Sequence, residues 1–185
     1  MPTQGAMNHV SLFTGYEGFG LGLKMAGMPI RTVLYCENEP YAQEILRARI
    51  RDGFLDDAPI WPDICDLDGS LFAGKVDIIT AGFPCQPHSV AGNRQGESDE
   101  RNLWPQTRRI IDEIRPEWGV MLENVPGINV RPDDGRPAYG GVVLGELSEL
   151  GYDCVWTTVS ASDSGAPHLR KRWWVMAHAN NGRWG

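Results

Sequence analysis

Residues 81–89, AGFPCQPHS, follow the apolar run KVDIIT and place one thiol, Cys85, between Pro84 and Pro87. A cysteine displayed in a proline-framed turn just beyond a strand can meet a bound substrate, and as a thiolate it is an effective covalent nucleophile. The position suits a small residue in a buried turn equally well. His88 lies close by, but its spacing does not establish contact with the thiol, and an ordinary polar turn residue fits too. Glu123, in LENVPG, follows a second apolar run, WGVM. A protonated carboxyl there can donate a hydrogen bond to a heterocycle nitrogen while a nucleophile adds to the adjacent conjugated system. A loop carboxylate capping a turn is the plainer reading. Further on, HLRKRWW carries Arg170 and Arg172, whose guanidinium groups can fix carbonyl or phosphate oxygens.

A second constellation lies near the start. Glycines 15, 18, 20 and 22 come just after the apolar HVSLF, where missing side chains permit unusual turn dihedrals and close approach of a ligand. The stretch lacks the GKS or GKT ending of a phosphate loop, and its glycine spacing is not the dinucleotide fingerprint. Glu37 closes the next apolar run, where an acidic side chain can accept hydrogen bonds from ribose hydroxyls. Asp63 and Ile64 follow a third, placed to recognise an adenine amino group and to pack on its ring. Glu37 as surface charge and Asp63 as a turn cap are the competing readings.

These groups converge only if the chain brings strand ends together. Strands are expected at HVSLF, IRTVLYCE, KVDIIT, EWGVMLE, YDCVWTTVSA and KRWWVMAHA, with a short strand or turn at WPDICDL. Helices are expected after the glycine turn and at NEPYAQEILRARI, LWPQTRRIIDEIRP and GGVVLGELSELG, while NVRPDDGRPAYGG reads as a flexible interruption. The alternation predicts an α/β fold with a twisted, mostly parallel sheet covered by helices on both faces, binding ligands beyond the carboxyl ends of its strands. The 185 residues suit one domain. With 24 acidic against 17 basic side chains the net charge is -7, which weighs against a nonspecific nucleic-acid coat but leaves room for a local phosphate patch. The four cysteines are widely spaced, with no metal knuckle, so free thiols are expected and no metal is. Cys36, Cys65 and Cys154 are expected in or near the core. No apolar run approaches a membrane span, and the start lacks a signal peptide's pattern, so an intracellular protein is expected.

Taken in order, these motifs resemble the cytosine-C5 DNA methyltransferase family over nearly the whole chain. FTGYEGFGLG resembles its first cofactor motif, ENEPYA its ribose-binding segment, DI at 63–64 its adenine-binding segment, GFPCQPHS its nucleophile loop, DERNL the motif that follows, ENVPG its catalytic glutamate motif and PHLRKRWW its late arginine motif. The resemblance implies S-adenosylmethionine held by Phe13, Thr14, Gly15, Gly18, Glu37, Asn38, Asp63, Ile64, Pro84 and Leu103. Phe13 and Ile64 would lie near the adenine, Glu37 near the ribose and Leu103 on the methionine side. It further implies that Cys85 adds to C6 of a cytosine flipped out of DNA, that Glu123 engages N3 and the exocyclic amino group, that Arg172 recognises the carbonyl and that Arg170 supports this site or its DNA contacts.

The chain departs from the family at Thr14, where serine is usual, at Glu17, where glycine is usual, and at His88 and His168. The resemblance stops before a complete target-recognition domain and the last two motifs. Residues 1–178 are therefore expected to form a truncated catalytic domain, with 179–185 a tail or the start of a recognition region. Target recognition would come from further sequence or a second subunit. The family resemblance makes the cytoplasm of a prokaryote or a phage-infected cell the expected setting. The alternative from another class is a catalytically weak DNA-binding or regulatory partner retaining the scaffold.

Overall fold

A computed structural model describes residues 5–84, 102–133 and 135–180. The chain runs β1 (Met7–Leu12), α1 (Gly18–Met25), β2 (Ile30–Cys36), α2 (Pro40–Arg51), β3 (Ile60–Trp61), β4 (Ile78–Ala81), α3 (Trp104–Ile114), β5 (Gly119–Asn124), α4 (Tyr139–Glu149), β6 (Tyr152–Ser160) and β7 (Lys171–Ala179). The strands form one sheet in the order β3-β2-β1-β4-β5-β7-β6. The first five are mutually parallel, and β7 runs antiparallel to both β5 and β6. Short 3-10 turns over Ile64–Asp66, Gly69–Phe72, Pro126–Asn129 and Ala161–Ser164 fill the connections.

Strand alternation divides the core. Val10 and Leu12 of β1, Leu34 of β2, Ile79 of β4, Val120 and Leu122 of β5 and Val175 of β7 meet Ile110, Ile111 and Ile114 of α3 and Val143 and Leu147 of α4. The opposite face packs Leu23 of α1 against Ile30 and Ile78, and Leu46 of α2 against Tyr35 and Leu55. The helices therefore cover both faces, as the alternating pattern predicts. In α3 the buried positions 104, 107, 110, 111 and 114 recur at helical spacing. Gly119 opens β5 with φ +151, and a Cβ there would fall 2.2 Å from the Ala177 carbonyl, so the β5–β7 pairing admits no side chain at this position. Burial of Cys36 follows the sequence expectation, whereas Cys65 is exposed because the turn that buries Ile64 directs the next side chain outward.

The chain builds β1, β2 and β3 outward in one direction, then returns to place β4 on the other side of β1. Leu12 and Ala81, the last residues of β1 and β4, are register partners. The connections leaving these two strands diverge from one crevice, the place where such sheets take ligands.

Candidate active site

The turn leaving β1 is held by its own polar atoms. Thr14 donates its N–H to the Cys36 carbonyl at 3.1 Å, and its hydroxyl accepts the Cys36 N–H at 3.2 Å and lies 3.0 Å from the Ser11 carbonyl. These bonds stitch the carboxyl ends of β1 and β2 together. Glu37, nearly buried, accepts the Gly15 N–H at 2.7 Å on one carboxylate oxygen and the Glu39 N–H at 2.9 Å on the other. A carboxylate has about four lone-pair sites, so two amides leave acceptor capacity for ribose hydroxyls. Phe13, Gly15 and Glu17 all adopt positive φ, and a Cβ built on Gly15 or Gly18 meets nothing within 4 Å. The turn therefore presents an open backbone surface at the N-terminus of α1, a shape that fits a cofactor lying across it. Asn38 is exposed beside Glu37, just before α2.

The adenine segment is built differently from its sequence outline. Asp63 caps the 3-10 turn through the Cys65 N–H at 2.8 Å, and its side chain is exposed, so the cap reading and the ligand reading are compatible. Ile64 is only 3% exposed and packs into the main core. What fixes this segment is Arg109 of α3, which donates to the carbonyls of Ile64 at 2.7 Å and Leu67 at 2.8 Å. Arg109 pairs with Glu113 at 3.0 Å, and Glu113 accepts the Gly69 N–H at 2.8 Å. The sequence motifs do not single out this clamp; its one signal is an i,i+4 Arg/Glu pair on the polar face of α3. Leu103, half-buried against the core, precedes α3 and accepts the Thr107 hydroxyl at 2.8 Å.

At the other side of the crevice, β4 gives way to residues 82–84. Asn124, at the end of β5 and buried, donates to the Phe83 carbonyl at 2.9 Å and accepts the Val125 N–H at 2.8 Å. The Phe83 ring lies 5.3 Å from that of Trp104. This latch fixes Pro84, the last described residue before Cys85; Cys85 itself and His88 lie outside the described residues. Glu123 stands beside the latch, with its Oε2 3.5 Å from where a Cβ on Gly82 would sit. Its Oε1 pairs with Arg172 Nε of β7 at 2.6 Å. Burial pushes the Glu123 carboxyl above the ordinary range, while Arg172 and, more remotely, Arg170 pull it down. Arg170 is exposed with positive φ just before β7. The structure thus brings Glu123 and Arg172 together beside residues 82–84, the approach to Cys85.

The fold and this crevice define a mostly parallel α/β scaffold with one pocket edge on β1 and β2 and another on β4, β5 and β7. Residues 7–184 match the model of the C-5 cytosine-specific DNA methylase family, and the chain belongs to that family. It is 35% identical over 170 residues to the type II methyltransferase M.CviJI of Paramecium bursaria Chlorella virus IL3A, covering 91% of this chain and 42% of that protein. It is 33% identical over 175 residues to M.NgoMIV of Neisseria gonorrhoeae, covering 92% and 51%. The chain therefore spans about half, or less, of the length of these relatives. In fold it resembles a Spodoptera frugiperda DNMT2 variant with a TM-score of 0.75 at 20% identity, over 97% of this chain and 52% of that one. S. pombe Dnmt2 is similar, with a TM-score of 0.71 at 23% identity over 96% and 53%.

Proposed function

We propose that this chain transfers a methyl group to C5 of cytosine in DNA through a covalent adduct at Cys85. The observation that carries this reading is the half-buried Glu123 carboxyl, paired with Arg172 and set beside the β4 exit that leads to Cys85. Burial favours its neutral form, which can donate a hydrogen bond to the base N3. That donation draws electrons toward N3 as the Cys85 thiolate adds to C6, leaving C5 nucleophilic toward an electrophilic methyl. Loss of the C5 proton to a base then lets the C6–S bond break, returning the thiolate and the aromatic ring. Arg172 holds the Glu123 carboxyl in place and is positioned to meet the cytosine carbonyl, with Arg170 beside it.

S-adenosylmethionine would supply the methyl group on its sulfonium. The residues present fit it: the open backbone at Gly15 and Gly18, the Glu37 carboxylate and the exposed Asp63 side chain line one edge of the crevice. Phe13, Thr14 and Asn38 complete that edge, with Pro84 and Leu103 on the side of β4 and α3. A cytosine must leave the stack to reach Glu123, so the DNA is held with a flipped base. Because the chain spans about half of its relatives or less, we take residues 1–178 as a catalytic unit whose target recognition draws on further polypeptide, as a continuation or a second subunit.

Incubation with S-adenosylmethionine and duplex DNA containing 5-fluorocytosine, in which fluorine replaces the C5 proton whose loss releases the thiol, tests the reading, with candidate recognition subunits present and absent. Wild-type protein should form a denaturation-resistant adduct and Cys85→Ser should not, while both give the same circular dichroism spectrum. DNA binding without any adduct under all these conditions would favour a regulatory role for the scaffold instead.

A further inference from the structure

Glu17 stands where the family resemblance expects glycine, and its side chain points inward. The backbone at Glu17 is left-handed (φ 62, ψ 40) as it starts α1, and the residue is 1% exposed. Its carboxylate lies over the first turn of α1, where a Cβ on Gly20 would collide with Oε1 at 2.2 Å. Ser11 donates its hydroxyl to Oε2 at 2.6 Å, and Thr32 donates its hydroxyl to Oε1 at 3.2 Å. The Thr32 oxygen lies 2.9 Å from His9 Nδ1, and His9 Nε2 lies 2.8 Å from the Thr80 hydroxyl. Since Thr32 spends its proton on Glu17, it accepts from His9 Nδ1–H, and His9 Nε2 then accepts from Thr80. One directed chain therefore runs from β4 through β1 and β2 to the turn that begins α1, and it ends on a carboxylate.

We propose that Glu17 is a positioning residue for the cofactor turn, its carboxyl group anchoring residues 13–18 to β1, β2 and β4 through Ser11, Thr32, His9 and Thr80. This rests on the turn being the cofactor site. The carboxylate accepts both hydroxyl protons at once. Burial raises the proton affinity of this closed arrangement, and the neutral carboxyl keeps both contacts by accepting from Thr32 at Oε1 and donating from Oε2 to Ser11, so deprotonation loosens the turn.

The charged and titratable groups around it fix where this shows. Burial raises the Glu17 carboxyl to about 7. Burial likewise lowers His9, on β1, to about 4, so it stays neutral across the relevant range. Asp56, after α2, is held low by its partners: it pairs with Lys24 of α1 at 2.7 Å and accepts the Thr32 N–H at 2.8 Å. Tyr35 of β2 is raised by burial and donates to the Asp56 carbonyl at 3.0 Å. A change in the turn near neutral pH is therefore assigned to Glu17.

The test measures affinity for S-adenosylhomocysteine by calorimetry from pH 6 to 8.5, and amide exchange of Gly15, Glu17 and Leu21 in the ligand-free chain over the same range. The amides chosen are those bonded to Glu37, Thr14 and the Glu17 carbonyl. In the wild type, affinity should fall about fivefold as pH rises through about 7, the scale of one hydrogen bond, and the intrinsic-rate-corrected protection should fall with it. Both should be flat in Glu17→Gln and in Glu17→Gly, since glycine adopts the left-handed backbone of this position without strain. Parallel profiles in wild type and both variants overturn the proposal while leaving the cofactor reading intact. Protection that falls with rising pH only in the wild type, with no S-adenosylhomocysteine bound at any pH, supports the anchoring of the turn and overturns the cofactor reading.

Discussion

Glu17 and His9 are displaced in opposite directions inside one buried pocket, and the pH dependence of folding follows from that opposition. Burial carries the Glu17 carboxyl from its ordinary 4.5 to about 7. A raised carboxyl binds its proton more tightly in the folded chain, so its contribution to stability is complete below about pH 4.5 and is lost as pH rises through about 7. Burial carries the His9 imidazole from 6.5 to about 4, so its contribution is complete above about pH 6.5 and is lost as pH falls through about 4. Each displacement corresponds to about 3 kcal/mol, and the two slopes oppose each other between pH 4.5 and 6.5. In the wild type they largely cancel. Replacing Glu17 by Gln removes one arm and exposes the other. The stability of wild type minus that of Glu17→Gln should fall by about 3 kcal/mol between pH 4.5 and 7, since every other carboxylate cancels in the subtraction. Urea unfolding followed by tryptophan fluorescence at closely spaced pH values measures the difference. A difference that stays constant to within about 1 kcal/mol over that range would refute the burial of a titrating carboxyl at this position.

Three further outcomes test the rest of the site. Asn124→Ala leaves the Phe83 carbonyl and the Val125 N–H without their buried partner; it should cost about 1–3 kcal/mol in urea unfolding, and a neutral effect would contradict the latch. Arg172→Ala removes the cation that pulls the Glu123 carboxyl down; a carboxyl ¹³C titration should show it rising further above the ordinary range, and a fall would contradict the pairing. Arg109→Ala releases the carbonyls of Ile64 and Leu67 that fix the segment bearing Asp63. Discrimination between S-adenosylhomocysteine and its inosine counterpart should narrow in that variant, whereas equal weakening of both would assign Arg109 to general packing.

The element order was legible because the strand runs and the α3 periodicity are strong local patterns, and the strand ends are where the motifs lie. Glu37 and Glu123 could be placed for the same reason, each closing an apolar run that became a parallel strand. The Arg109 clamp was not legible, since its targets are main-chain carbonyls some 45 residues away, on a turn whose carbonyl directions no side-chain pattern encodes. Ile64 shows a related limit: an apolar residue beside a binding turn can face the ligand or the core, and in this fold it faces the core. The Cys85 segment lies outside the described residues, so its place in the site rests on the order of motifs and on the latch that fixes the residues before it.

Glu17 is the instructive case, because a charge in a glycine-rich turn ordinarily reads as a solvated side chain. The counter-signal lay in the strands. His9 and Ser11 in β1, Thr32 in β2 and Thr80 in β4 interrupt otherwise apolar runs, and strand alternation with the β1–β2 and β1–β4 registers sets His9, Thr32 and Thr80 on one face. Four buried polar side chains on one face need a common partner, since each left unpaired costs about 1–3 kcal/mol. A carboxylate delivered by the turn above them meets that need, and residue 17 turns it inward from a left-handed backbone. Its placement joins the two edges of the crevice: the turn leaving β1 is tied through His9 to the strand that leads to Cys85. Glu17 and the polar residues of three strands therefore form one connected floor beneath the site.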